Sequence, residues 1–229
     1  MLRLLRNKKT AKRIWIGLAI VIMPAFLFWG LGSAVRSKEE SAFIGKINGK
    51  KITLLEYKDA LSAVRNAAII RFGDRFDEIQ KEINLEAQAW ERLLLIYEAK
   101  KYKLTASDRE VIESIESYAF FQRKGNFDNR TYNDLLRYVF RTPARTFEEQ
   151  MRENIIIVKL YNKITENITL NDKEIRDEYI KATTKEKGKT SFDEKKFSLE
   201  KNDFAQRLLE QKKQIYFANF LENLKKKAQ

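Results

Sequence analysis

Residues 89–108 read Ala89-Trp-Glu-Arg-Leu-Leu-Leu-Ile-Tyr-Glu-Ala-Lys-Lys-Tyr-Lys-Leu-Thr-Ala-Ser-Asp108. Trp90, Leu93, Leu94 and Tyr97 fall at i, i+3, i+4 and i+7, the spacing that lines one face of an α-helix. Glu91, Arg92 and Glu98 are then expected on the opposite, solvated face. Ser107 with Glu110 reads as a capping box that opens the next helix, ahead of Val111, Ile112 and Ile115. The same grammar recurs downstream. Thr131 with Asp134 precedes Leu135, Leu136, Tyr138 and Val139. Thr146 with Glu149 opens a longer stripe through Phe147, Met151, Ile155 and Val158, and Asn171 with Glu174 precedes Ile175 and Tyr179. Phe217, Phe220, Leu221 and Leu224 repeat the helical spacing near the end, so a last helix has a face that must pack back on the rest. The fold class is mainly α.

Toward the amino terminus, Ala42–Thr53 reads as two short strands around Asn48-Gly49, a strong hairpin signal, and is expected to be the one sheet. Thr53 and Glu56 form a capping box for a helix beginning there. Farther upstream, residues 1–13 carry Arg3, Arg6, Lys8, Lys9, Lys12 and Arg13 and no acid. Ile14 to Val35 is then a run of 22 residues without a charge. At about 1.5 Å per residue, that run reaches roughly 33 Å as a helix, enough for a bilayer core of about 30 Å. Trp15 and Trp29 suit the two interfaces, and the basic flank places the amino terminus in the cytoplasm. The competing reading is a cleavable signal peptide ending at Gly32-Ser33-Ala34. Under either reading residues 37–229 leave the cytoplasm. The expected organisation is a basic segment (1–13), a transmembrane signal-anchor helix (14–35), a helical domain (37–180), a linker (181–198) and a terminal helix (199–229) packed back on the domain.

Composition removes many functions. The 229 residues contain no Cys and no His, 8 Gly and 2 Pro. There is no disulfide framework, thiolate nucleophile, His-based triad or ordinary zinc enzyme, and few turns for an all-β fold. The net charge of +13 is partly a topology signal, because residues 1–36 hold seven positives and no negative, leaving 38 positives against 32 negatives. Nucleic-acid binding therefore loses its main support. The acidic groups Asp74/Asp77/Glu78, Asp128/Asp134 and Glu148/Glu149/Glu153 read as solvated helix starts. The runs Lys185–Lys189 and Lys225–Lys227 read as a solvated loop and a terminus. No phosphate loop, dinucleotide fingerprint, calcium loop or nucleophile elbow occurs, so no metal, cofactor or catalytic residue is expected. The remaining candidate site is an aromatic cluster, Tyr118, Phe120, Phe121, Phe127, Tyr132, Tyr138 and Phe140, around Arg123–Asn126. It reads either as core or as an apolar groove able to hold extended polypeptide.

Phe43–Thr53, Ala89–Asp108, Phe121-Gln-Arg-Lys-Gly-Asn-Phe-Asp128 with Tyr132, Thr146 with Phe147 and Glu149, and Asn171-Asp-Lys-Glu174 together resemble the SurA/PpiD-like family of periplasmic folding factors, specifically its SurA N-terminal-like chaperone domain. The preceding anchor looks like the family's membrane-tethered branch. The resemblance implies a domain that binds unfolded or nascent exported and outer-membrane polypeptides, with a carboxy-terminal helix returning onto it. Many members insert a parvulin-type prolyl isomerase domain before that helix. Residues 181–198 are too short for one, and its paired His residues are missing. The expected protein is thus an ATP-independent holdase of the bacterial inner membrane, periplasmic beyond its anchor, without isomerase activity. The lipid bilayer and the translocation machinery are its further expected partners. A membrane-tethered adaptor for one folded partner is the competing function.

Overall fold

A computed structural model describes residues 42–187 and 193–228. The basic segment 1–13 and the expected membrane span 14–35 lie outside the described residues, as do 188–192 of the expected linker. Among the described residues no helix is long and apolar enough to cross a membrane.

The described chain divides into two units. The smaller comprises residues 42–46 and 50–58, and it holds strand β1 (Phe43–Ile47) apart from Ile47, its partner β2 (Lys50–Thr53) and the first turn of α1 (Leu54–Phe72). The strands turn at Asn48 and Gly49, whose φ values of 50° and 79° give the two left-handed residues that a tight hairpin turn requires. The expected capping box is present: the Glu56 amide donates to Thr53 Oγ1 at 3.1 Å, and the Thr53 amide donates to Glu56 Oε2 at 2.9 Å.

The larger unit comprises 47–49 and the described residues from 59 onward. After α1 come a 3-10 turn (Gly73–Arg75) and the single-turn helix α2 (Phe76–Ile79). Next are α3 (Leu85–Lys101) and α4 (Asp108–Glu116). Strands β3 (Gln122–Arg123) and β4 (Asn126–Phe127) make a second, minimal antiparallel hairpin, so the expectation of one sheet is corrected to two among the described residues. Its turn repeats the chemistry of the first, with Lys124 at φ 55° and Gly125 at φ 82°. Helix α5 (Asn129–Leu135) runs into one π-helical turn (Leu136–Phe140), and α6 (Ala144–Thr165), α7 (Asp172–Lys187) and α8 (Glu194–Ala228) complete the chain.

The start signals fare unevenly. The Ser107/Glu110 box caps α4, and Asn171 with Glu174 caps α7 through bonds of 3.0 and 2.8 Å. Thr131 does not cap α5. It lies inside the first turn, where its amide donates to the true cap, Asp128 Oδ1, at 2.7 Å. Helix α6 starts before Thr146, at Ala144 behind Pro143, whose extended conformation and lack of an N–H suit the position ahead of a helix. The expected linker 181–198 is largely helical, because α7 continues to Lys187 and α8 begins at Glu194. Lys, Glu and Ala in that stretch are good helix formers, and Phe197 is buried against Tyr179 at a ring separation of 5.0 Å.

Helix α3 is central, packed by both α6 and α8. Its exposed face is therefore not where the amphipathic period puts it: Arg92 and Glu98 are buried. Arg92 Nη2 donates to Glu153 Oε2 at 2.8 Å and to the Gln150 carbonyl at 3.0 Å, and Nη1 donates to Asn154. The long side chain thus crosses from α3 to α6 with its charge compensated, as a buried cation requires. Burial pulls the Arg92 pKa down, and Glu153 opposes that shift. On its other side α3 meets α8, where Leu224 joins Leu95, Ala99 and Leu160 in one cluster and Phe217, Phe220 and Leu221 pack against it. The stripe read from the sequence is the docking face of α8. Asn66 pins α1 to the start of α6, donating to Gln150 Oε1 at 2.8 Å and Thr142 Oγ1 at 3.0 Å.

Candidate polypeptide-binding groove

The seven aromatic candidates separate by depth. Phe121, Tyr132 and Phe140 are core, joined with Val111, Leu136, Phe147 and Met151 in the main hydrophobic cluster. Phe121 has no exposed surface, and it meets Tyr132 and Phe147 edge-on at 5.1 and 5.8 Å. Phe121 and Phe140 therefore organise the site from behind and offer no surface to a ligand. Tyr118 and Phe127 are half-buried and pack against the cluster. Phe120 is partly exposed and stacks on Tyr118 at 5.2 Å. Tyr138 is 65% exposed, because the π turn that buries Leu136 and Phe140 leaves the residues between them facing outward.

Beside this cluster lies an open groove of about 340 Å³. One wall is α4, whose Val111 and Ile115 are buried while Ile112, to the side of them on the helix, is 54% exposed. Phe127 of β4 and Tyr132 of α5 continue the apolar lining. The rim is charged: Asp108 and Glu116 at the two ends of α4, and Glu148 and Arg152 from α6. Of the seven candidates, the groove takes Phe127 and Tyr132 only. The charged rim and the Ile112 wall are absent from the aromatic list, although Ile112 beside Val111 already widens the α4 stripe beyond what one core contact needs.

Arg152 is fully engaged, donating to Asp108 Oδ1 at 2.7 Å, Glu149 Oε2 at 3.1 Å and the Ala106 carbonyl at 2.7 Å. Hydrogen bonding to these carboxylates raises its pKa. Glu116 and Glu148 form no ion pair among the described residues. The Tyr132 hydroxyl is buried beside the Glu148 carboxylate, and burial, then the charge and hydrogen bonding of Glu148, push its pKa up to about 12. Among the described residues no group of three or more carboxylates is placed to hold a metal ion. The arrangement offers apolar contact and a negative rim.

The groove thus sits on a helical bundle whose last helix packs on its central one. The chain belongs to the SurA-like N-terminal domain family, whose profile matches residues 1–161. It is similar to the periplasmic chaperone PpiD of Escherichia coli (strain K12), 26% identical over 152 residues that make up 63% of this chain and 24% of that protein. It is also similar to the foldase protein PrsA of Caldanaerobacter subterraneus subsp. tengcongensis, 24% identical over 176 residues, 70% of this chain and 50% of that protein. The chain thus spans about a quarter to a half of the curated relatives' length. No solved structure matches it.

Proposed function

We propose that the protein is an ATP-independent holdase that shelters apolar segments of unfolded, newly exported or outer-membrane polypeptides. The observation that carries this reading is the open apolar groove of α4, β4 and α5. Membership of a family whose relatives are named a periplasmic chaperone and a foldase supports it. The uncharged run 14–35 anchors the chain in the inner membrane and the bundle faces the periplasm, beside the translocation machinery as clients emerge. Prolyl isomerisation is not part of this proposed activity, a reading supported by the short sequence between the end of α7 and the start of α8. Binding is weak and reversible, with Kd about micromolar, or roughly 8 kcal/mol, which a modest apolar groove supplies. Light scattering of a denatured outer-membrane protein, diluted into the full chain held in lipid nanodiscs, tests the reading. Suppression of aggregation near stoichiometric amounts, without ATP and for several unrelated clients, is expected. A folded sample that suppresses none of them refutes the holdase, and a single stoichiometric partner found by crosslinking would instead identify an adaptor.

A further inference from the structure

Resting on the holdase reading, we propose that the groove is selective: it takes a large apolar side chain of an extended client segment whose neighbouring residues are Lys or Arg. The volume of about 340 Å³ is more than twice the roughly 150 Å³ in which an apolar cavity already holds benzene, so one aromatic or branched side chain fits with room for its backbone. Charge decides what flanks it. The lining holds three carboxylates, Asp108, Glu116 and Glu148, against one cation, Arg152. Arg152 is spent on Asp108 and Glu149, so it offers nothing to an acidic ligand. Glu116 and Glu148 remain unneutralised by ion pairs among the described residues, one on α4 and the other on α6. An apolar floor between two such carboxylates favours a segment bringing positive charge on either side of its anchor, and disfavours an acidic one by like-charge repulsion.

The Tyr132 hydroxyl lies behind this floor, buried and with the Glu148 carboxylate beside it, so the lining meets a client with apolar surface and negative charge.

Fluorescence anisotropy of three labelled peptides, sharing one apolar core flanked by Lys, Ser or Glu, tests this on the full chain in nanodiscs. The Lys-flanked peptide is expected to bind tightest and the Glu-flanked one weakest. The ratio should be about tenfold at low ionic strength and should shrink as salt screens the rim. Glu116→Gln with Glu148→Gln should collapse that ratio, and Ile112→Ser should weaken all three peptides. Leu199→Ser, an 86% exposed position on α8, should change none. Far-UV circular dichroism confirms that each variant is folded. Equal affinity for the three peptides overturns the selectivity while leaving the holdase intact. Suppressed aggregation without any peptide binding, or self-association of the chain that Ile112→Ser abolishes, overturns the groove as the client site. Failure to hold either peptides or clients refutes the holdase itself.

Discussion

Phe121→Ala and Tyr138→Ala, two truncations within one stretch of aromatic sequence, should have opposite consequences. Phe121 is fully buried, with Phe120 at 4.4 Å, Tyr132 at 5.1 Å, Phe147 at 5.8 Å and Phe140 at 6.2 Å between ring centroids. Removing a buried phenyl ring costs about 3–5 kcal/mol through lost transfer energy and the cavity left behind. The several edge-on partners place this case in the upper half of that range. With a urea dependence of roughly 2 kcal/mol per molar, a loss of about 4 kcal/mol moves the unfolding midpoint down by about 2 M. Tyr138, at 65% exposure, should shift stability by no more than about 0.5 kcal/mol. Its loss should instead weaken aggregation suppression by the folded chain. Urea unfolding followed by circular dichroism, with light scattering on the same samples, reads both quantities. An unchanged midpoint for Phe121→Ala, or a Tyr138→Ala variant as unstable as Phe121→Ala, would refute the division of the cluster into core and surface.

Glu153→Ala strands the buried Arg92 guanidinium on carbonyl and amide oxygens alone, and should cost about 2 kcal/mol in thermal unfolding. That figure lies below the 3–5 kcal/mol of a fully buried pair because the carboxylate is 31% exposed. Leu224→Ala should release the end of α8 from Leu95, Ala99 and Leu160, costing about 3 kcal/mol locally, visible as faster hydrogen exchange in α8 before global unfolding. Glu110 is held down to about 2, first by the Lys159 ammonium and then by the Ser107 amide and hydroxyl. A depressed folded pKa stabilises above the unfolded value of 4.5 and is lost as pH falls toward 2. The stability gap between the native chain and Glu110→Gln should therefore be constant above pH 4.5 and close toward pH 2, and a gap independent of pH would contradict the assignment.

Local chemistry was legible in the sequence wherever a short segment contains its own reason. The Asn48-Gly49 turn and the boxes at Thr53, Ser107 and Asn171 need only residues three apart. The second hairpin uses the same left-handed pair at Lys124 and Gly125, yet its strands are two residues long, too short to show any alternation. Arg92 and Glu98 defeat a periodicity argument for a different reason. A stripe identifies one buried face, and α3 has two, because α6 and α8 both pack on it. Within residues 85–101 the signal of a second neighbour is Leu95, Ile96 and Ala99, apolar residues that lie off the Trp90, Leu93, Leu94 and Tyr97 stripe.

The groove was legible only in part, because clustering along the chain and clustering in space select different residues. Seven aromatics close in sequence were bound to include the core, since a helical unit this size must bury its largest rings somewhere. What turns the remainder into a site comes from farther away: Ile112 from α4, and Glu148 and Arg152 from α6, brought beside Phe127 and Tyr132 by the packing of α4 on α6. That packing rests on the capping box at Ser107, and it is reinforced where Lys159 of α6 reaches both Glu110 at 2.5 Å and the Thr105 carbonyl at 2.8 Å. The same cap that starts α4 therefore fixes the distance between the groove's two walls. A change at Ser107 or Lys159 should alter ligand binding without touching a residue that lines the groove, whereas an equal loss of stability imposed at Leu224, in a separate cluster, should leave the binding of the folded fraction unchanged.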